Sequence, residues 1–191
     1  MSTTTTNTTN PMAKLIGLLT IIAAVVMIVA GATTWGFVTS QLKAENISVA
    51  PVTEEAPGSL AGKPVAGPFT AYAQAVAINH HALAGANGRT YAQVGEELRT
   101  IKATLVADGV SEADMAKDSK VLELTAARTS AMNGSFLRSA LFTSVVSYGI
   151  AALVIGLGVL FALLGFALRS ISTTTVVTSA PVPATPVAPR V

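Results

Sequence analysis

The sequence predicts an all-α membrane protein: an antiparallel two-helix transmembrane hairpin carrying a small helical extracytoplasmic module. Three observations predict it. Two long stretches, Leu15 to Val38 and Leu141 to Leu168, are apolar and free of charge. All ten acidic residues lie between them, from Glu45 to Glu123. Charged residues make up 12% of the chain, about half the share of an ordinary soluble domain, which argues against a single water-soluble globule. The 51% hydrophobic content argues equally against disorder throughout.

Residues 1–14 read as a disordered cytoplasmic tail, because Ser2 to Asn10 is Thr/Asn low complexity with no apolar content. Residues 15–38 read as the first transmembrane helix. Twelve of these 24 residues are Leu, Ile, Val or Phe, and about 20 apolar residues cross the hydrocarbon core. At roughly 0.3–0.6 kcal/mol each, such residues favour insertion by several kcal/mol. A cleavable signal peptide competes with this reading, since Lys14 is a thin positive flank and Ala30-Gly31-Ala32 is an A-x-A-like site. Against it, the apolar run continues through Trp35, Phe37 and Val38, and Trp35 suits an interfacial anchor.

Residues 39–68 read as an extracytoplasmic linker, irregular because Pro51, Pro57, Pro64 and Pro68 punctuate it. Residues 69–138 read as a helical module. Phe69, Tyr72, Val76, His80 and Leu83 recur at helical spacing and suggest its buried face. The Gly85-Ala86-Asn87-Gly88 cluster should end that helix. Thr90-x-x-Gln93 has the pattern of a capping box for a second helix, ending near Asp108-Gly109. Ser111-x-x-Asp114 should start a third, which pauses at Asn133-Gly134 before entering the second span. A unit this small with no cysteine has little core, so support is expected from the membrane anchors, self-association or a partner.

Residues 139–168 read as the second transmembrane helix, sixteen of them Leu, Ile, Val or Phe. Residues 169–191 read as a disordered Pro/Thr/Ala-rich cytoplasmic tail. Orientation follows from the basic residues at the span ends. Lys14 and Arg169 stand without acidic neighbours, whereas Lys43 and Arg138 belong to the acid-bearing middle. Both termini are therefore expected in the cytoplasm and the central segment outside the cell membrane.

Small residues recur at intervals of seven in both spans: Gly17, Ala24 and Gly31 in the first, Ser144, Ala151, Gly158 and Gly165 in the second. A seven-residue repeat keeps one stripe toward a partner helix, and small side chains there allow close backbone approach in lipid. One antiparallel register pairs Gly17 with Gly165, Ala24 with Gly158 and Gly31 with Ala151. A homo-oligomer could use the same stripes. Gly149 and Gly156 form a second pair on another face, which leaves room for an outside partner.

Neither span contains Asp, Glu, Lys, Arg, His or Pro. This argues against a carrier or channel acting alone, which needs intramembrane ionisable groups or interrupted helices. With a net charge of +2, the chain is too weakly basic to suggest nucleic-acid binding. The histidines, His80 and His81, are adjacent. Helical neighbours point about 100° apart and chelate one ion poorly, so the plainer reading is a partly buried His80 and a solvated His81. The acidic pairs Glu54-Glu55 and Glu96-Glu97 fall in a linker and on a solvated helix face. No catalytic motif, cofactor or metal site is expected.

Four blocks carry a resemblance: Leu60-Ala-Gly-Lys-Pro-Val-Ala-Gly-Pro-Phe-Thr-Ala-Tyr-Ala-Gln74, Asn79-His-His-Ala-Leu83, Gly88-Arg-Thr-Tyr-Ala92 and Met132-Asn-Gly-Ser-Phe-Leu-Arg-Ser-Ala-Leu-Phe-Thr-Ser-Val-Val146. They resemble a family of two-span membrane proteins of high-GC Gram-positive bacteria, many of which carry the label aromatic ring-opening dioxygenase. The resemblance runs from Thr34 to Leu168, with Val94 to Ala127 departing from the family pattern. It implies the two-span architecture. The label implies iron held by two histidines and a carboxylate, and two adjacent histidines match that demand badly. The expectation is thus a non-enzymatic integral membrane protein with a structural or interaction role. Its partners would be the lipid bilayer and a second copy or another membrane protein. The alternatives are an iron-dependent dioxygenase or subunit of one, and an accessory subunit of a transporter or respiratory complex.

Overall fold

The computed structural model describes residues 3–171 and 173–179. From Asn10 to Ile171 its regular elements are helices: α1 (Pro11–Ala44), α2 (Pro68–Gly85), α3 (Tyr91–Ala107), α4 (Glu112–Met115) and α5 (Ser119–Ile171). Helices α1 and α5 are both long and apolar enough to cross a membrane. Flanking them, Thr3–Thr9 (β1) pairs antiparallel with Thr173–Ser179 (β2), Thr3 opposite Ser179 and Thr9 opposite Thr173. Disorder is the expectation for both stretches, and the paired backbone differs from it. Threonine and valine are β-branched and suit an extended ladder. The proline-rich stretch 180–191 lies outside the described residues.

Two compact units emerge. One holds the described residues up to Ala32 with those from Leu153 onward, and the other is Thr33–Ala152. Both long helices outrun their apolar runs. Helix α1 starts where Asn10 Oδ1 accepts from the amides of Met12 (3.1 Å) and Ala13 (3.3 Å), an N-cap. It ends past Ala44, where Asn46 takes a left-handed backbone (φ 52°) and its amide bonds the Lys43 carbonyl.

Within Thr33–Ala152, the core gathers Leu42, Val49, Val65, Ala71, Ala75, Leu141 and Tyr148. The expected linker contributes to this core rather than merely bridging it. Val49 exchanges backbone hydrogen bonds with the 62–63 segment opposite, donating to the Lys63 carbonyl at 2.9 Å and accepting from Gly62 at 2.8 Å, beside an isolated antiparallel bridge between Ser48 and Pro64. The Val65 amide donates to Ile47 at 2.9 Å, and the Ala50 amide donates to Gln74 Oε1 at 2.7 Å. Proline spacing hides this clasp, because its backbone partners lie far apart in sequence.

Helix α2 buries Ala71, Ala75 and Ala77, not the expected face. Phe69 is 80% exposed and Tyr72 54%. The contact selects small side chains because α2 lies close against α5: a β-carbon on Gly134 would stand 2.6 Å from Ala82 Cβ. The same closeness explains why α5 runs unbroken from Ser119 through Asn133-Gly134. Gly134 serves a helix–helix contact there, not a pause. Helix α2 closes through Gly88 (φ 76°), whose amide reaches back to the Leu83 carbonyl at 2.7 Å, a Schellman-type end.

A second cluster joins Ala86, Val94, Leu98, Val121 and Leu124. Thr90 caps α3 by accepting from the Gln93 amide, while Gln93 Oε1 accepts from the Thr90 amide at 2.8 Å. Ser111 caps the short α4. The third helix expected from Ser111 is in fact two, because Asp118 Oδ1 accepts from the Lys120 and Val121 amides (2.9 and 3.0 Å) and starts α5 afresh.

Candidate functional site

In the unit ending at Ala32 and resuming at Leu153, Gly17 and Gly165 lie backbone to backbone. A β-carbon on Gly165 would stand 2.8 Å from the Gly17 carbonyl oxygen, and one on Gly17 would stand 2.9 Å from the Gly165 carbonyl oxygen. Gly158 meets Ala24 in the same way, with a β-carbon there 3.0 Å from the Ala24 carbonyl oxygen and 2.7 Å from Ile28 Cγ1. All four residues are buried, as are Gly31 and Ala151. Ser144 is half-buried, and its hydroxyl donates to the Ala140 carbonyl at 3.2 Å. Gly149 and Gly156 face open space, with nothing within 4 Å of an added β-carbon.

Ile21 and Ile28 flank these contacts, but most large apolar side chains on the two helices point the other way. Leu15, Leu19, Ile22, Val25, Val26 and Val29 on α1 are each more than half exposed. So are Leu153, Leu163 and Phe166 on α5. This inverts the pattern of a helix cored inside a water-soluble protein.

In the unit Thr33–Ala152 a three-residue aromatic and hydroxyl site joins the upper parts of α1 and α5. Trp35 packs edge-on against Tyr148 with ring centroids 4.7 Å apart and planes at 66°. The Tyr148 hydroxyl lies 2.8 Å from Thr39 Oγ1. Thr39 already donates its one proton to the Trp35 carbonyl at 2.9 Å, so Tyr148 is the donor to Thr39. A buried tyrosine hydroxyl needs such an acceptor, and nothing local in the sequence marks Thr39 as that acceptor. Beside it, a groove of about 420 Å³ is lined by Gln41, Leu42, Glu45, Gln74, Leu141 and Ser144, among others.

Further along α5, Arg138 donates to Asn79 Oδ1 at 3.1 Å and lies over the Phe142 ring at 5.2 Å. Phe142 meets Tyr72 edge-on at 5.9 Å. Arg128 stacks over Tyr91 at 4.4 Å from its centroid and lies against Gly95 of α3. Arg89 pairs with Glu97 and also donates through Nε to the Ala86 carbonyl at 2.8 Å. These contacts fix helices to one another; none presents a nucleophile beside a base.

His80 and His81 are both exposed, their rings 6.0 Å apart. The partly buried His80 expected above is therefore corrected: the buried face of α2 is its alanine face. Among the described residues no three His, Asp or Glu side chains are placed to share a metal ion, so the donor set does not fit a two-histidine, one-carboxylate iron site. No protein-family model, curated protein or solved structure matches the chain.

Proposed function

We propose that this chain is a non-enzymatic integral membrane protein of the cell membrane. In this reading α1 and α5 cross the bilayer as an antiparallel hairpin, with both termini cytoplasmic and the intervening helices outside. The outer helices dock on a partner, either a second copy or another membrane protein. The observation that carries the reading is the inverted burial of the two apolar helices. Only 17% of each apolar window is buried, and what is buried is the Gly/Ala stripe. Lipid is the medium in which large aliphatic side chains face outward while small ones meet.

The resemblance to two-span membrane proteins supports the architecture. The open glycines Gly149 and Gly156 on α5 support a partner helix, since small residues leave space for close approach. Because the chain has no cysteine, single cysteines report topology cleanly. A membrane-impermeant maleimide should label Ser59→Cys in intact cells, and Thr5→Cys and Ala180→Cys only after permeabilisation. Outside labelling of Thr5→Cys, or release of the protein by alkaline carbonate, would overturn the reading. Purification in mild detergent should return an oligomer or a stoichiometric membrane partner, and a lone monomer would count against the docking role.

A further inference from the structure

The outward face of α2 carries side chains that are out of place in water. Phe69 is 80% exposed, Tyr72 54% and Val76 39%, and they follow one another at helical spacing. The next position on that face is the exposed His80. Along a single face phenyl, phenol and isopropyl groups are followed by an imidazole.

Three contacts set the height of that face along α5. Ala82 meets Gly134, Asn79 meets Arg138, and Tyr72 meets Phe142. Helix α2 thus runs antiparallel to this part of α5, and its first turn lies nearest to Tyr148. Phe142 precedes Tyr148 by six residues of unbroken helix, a rise of roughly 9 Å. Phe69 lies one turn below Tyr72, which brings it to roughly 4–5 Å from the Tyr148 level. Trp35, 37% exposed and packed on the buried Tyr148, is the kind of aromatic residue that gathers where hydrocarbon gives way to headgroups. The headgroup layer is about 5–8 Å deep on each side of the bilayer.

We infer that the first turn of α2 is a lipid-contacting anchor, with Phe69 seated in the phospholipid headgroup layer of the outer leaflet and Tyr72 at the outer edge of that layer. The inference rests on the membrane reading proposed above and adds to it a third point of attachment besides the two spans. Its occupant is lipid because the exposed face carries Phe69, Tyr72 and Val76 on the turns nearest the membrane and becomes polar only at His80. Phenyl and phenol groups suit that boundary, the tyrosine hydroxyl reaching toward water. By the same ruler, Phe136 stands roughly 18 Å from Tyr148, beyond the headgroups, and serves as a control.

The test uses the full chain in vesicles of phosphatidylcholine and phosphatidylglycerol, with tryptophan as reporter. The natural chain has one, Trp35. Brominated lipid should quench Trp35 in the wild type. It should quench Trp35→Phe/Phe69→Trp to a similar extent and leave Trp35→Phe/Phe136→Trp bright. Quenching of Trp35 without quenching at position 69 overturns the anchor and leaves the membrane reading standing. A position-69 reporter shielded from both lipid and aqueous iodide also overturns it, in favour of a protein contact. Absence of quenching at Trp35 overturns the membrane reading and the anchor together. Should Trp35→Phe impair folding, nitroxide on Phe69→Cys with Trp35 retained gives the same decision. Oxygen should then broaden its spectrum more than a water-soluble nickel chelate does, and the reverse order overturns the anchor.

Discussion

The Tyr148 hydroxyl donates a hydrogen bond to Thr39 Oγ1 across α5 and α1, at 2.8 Å, and the Thr39 hydroxyl in turn donates to the Trp35 carbonyl. The two partners are not equivalent. Tyr148→Phe leaves Thr39 with its local bond intact and should cost about 1 kcal/mol or less. Thr39→Val strands a buried phenol and should cost about 1–3 kcal/mol. The double variant should sit near Tyr148→Phe. Thermal unfolding in mild detergent reads all three, and a Tyr148→Phe loss exceeding that of Thr39→Val would refute the assigned direction.

Gly165→Ala and Gly158→Ala should each destabilise the helix pair by about 1–3 kcal/mol through overpacking, although alanine is the better helix former. Gly149→Ala and Gly156→Ala, where the added methyl meets nothing, should leave unfolding unchanged or slightly later. Size-exclusion chromatography with light scattering on Gly156→Leu then asks the separate question of the partner. Loss of the oligomer without loss of stability would mark this face as the docking face.

Gly134→Ala should lower stability, because its methyl would enter Ala82. Ala82→Gly removes the obstruction, so Gly134→Ala/Ala82→Gly should recover much of the loss. A stabilising Gly134→Ala, the ordinary outcome for an exposed helical glycine, would show that α2 does not hold this position.

Iron should not stabilise the protein. A ligand at a hundredfold excess over its Kd adds about 2.7 kcal/mol to a folded state that binds it. Ferrous iron under anaerobic conditions should leave the unfolding midpoint of both wild type and His80→Ala/His81→Ala in place. A rise in the wild type alone would restore the dioxygenase reading.

The features legible in the sequence were those written in short windows. Two charge-free runs announce α1 and α5. Thr90 with Gln93 announces a cap, and Ser111 with Asp114 another. The Asn87-Gly88 pair announces the end of α2. What escaped depends on neighbours distant in the chain. The large side chains Phe69, Tyr72 and Val76 form the more hydrophobic stripe of α2, yet Ala71 and Ala75 are buried, because Gly134 draws the backbones together. Val49 and Val65 pass for linker residues until Lys63 and Ile47 are found opposite them. The Tyr148–Thr39 bond spans 109 positions, and no local pattern announces it.

The two kinds of glycine contact differ in what evolution could do with them. At Gly134 the obstructing atom is a side-chain carbon of Ala82, so a lesion there has a suppressor within reach. At Gly165 the obstruction includes the main-chain oxygen of Gly17, and at Gly158 that of Ala24. Every amino acid carries that oxygen, so trimming Ile21 cannot clear the 2.8 Å contact at Gly165, whereas at Gly158 the nearest obstruction is Ile28 Cγ1 and trimming it leaves the looser 3.0 Å contact. In a saturation library position 165 should be the less permissive of the two and find no second-site reversion among the facing side chains, whereas trimming Ile28 should partly rescue Gly158→Ala.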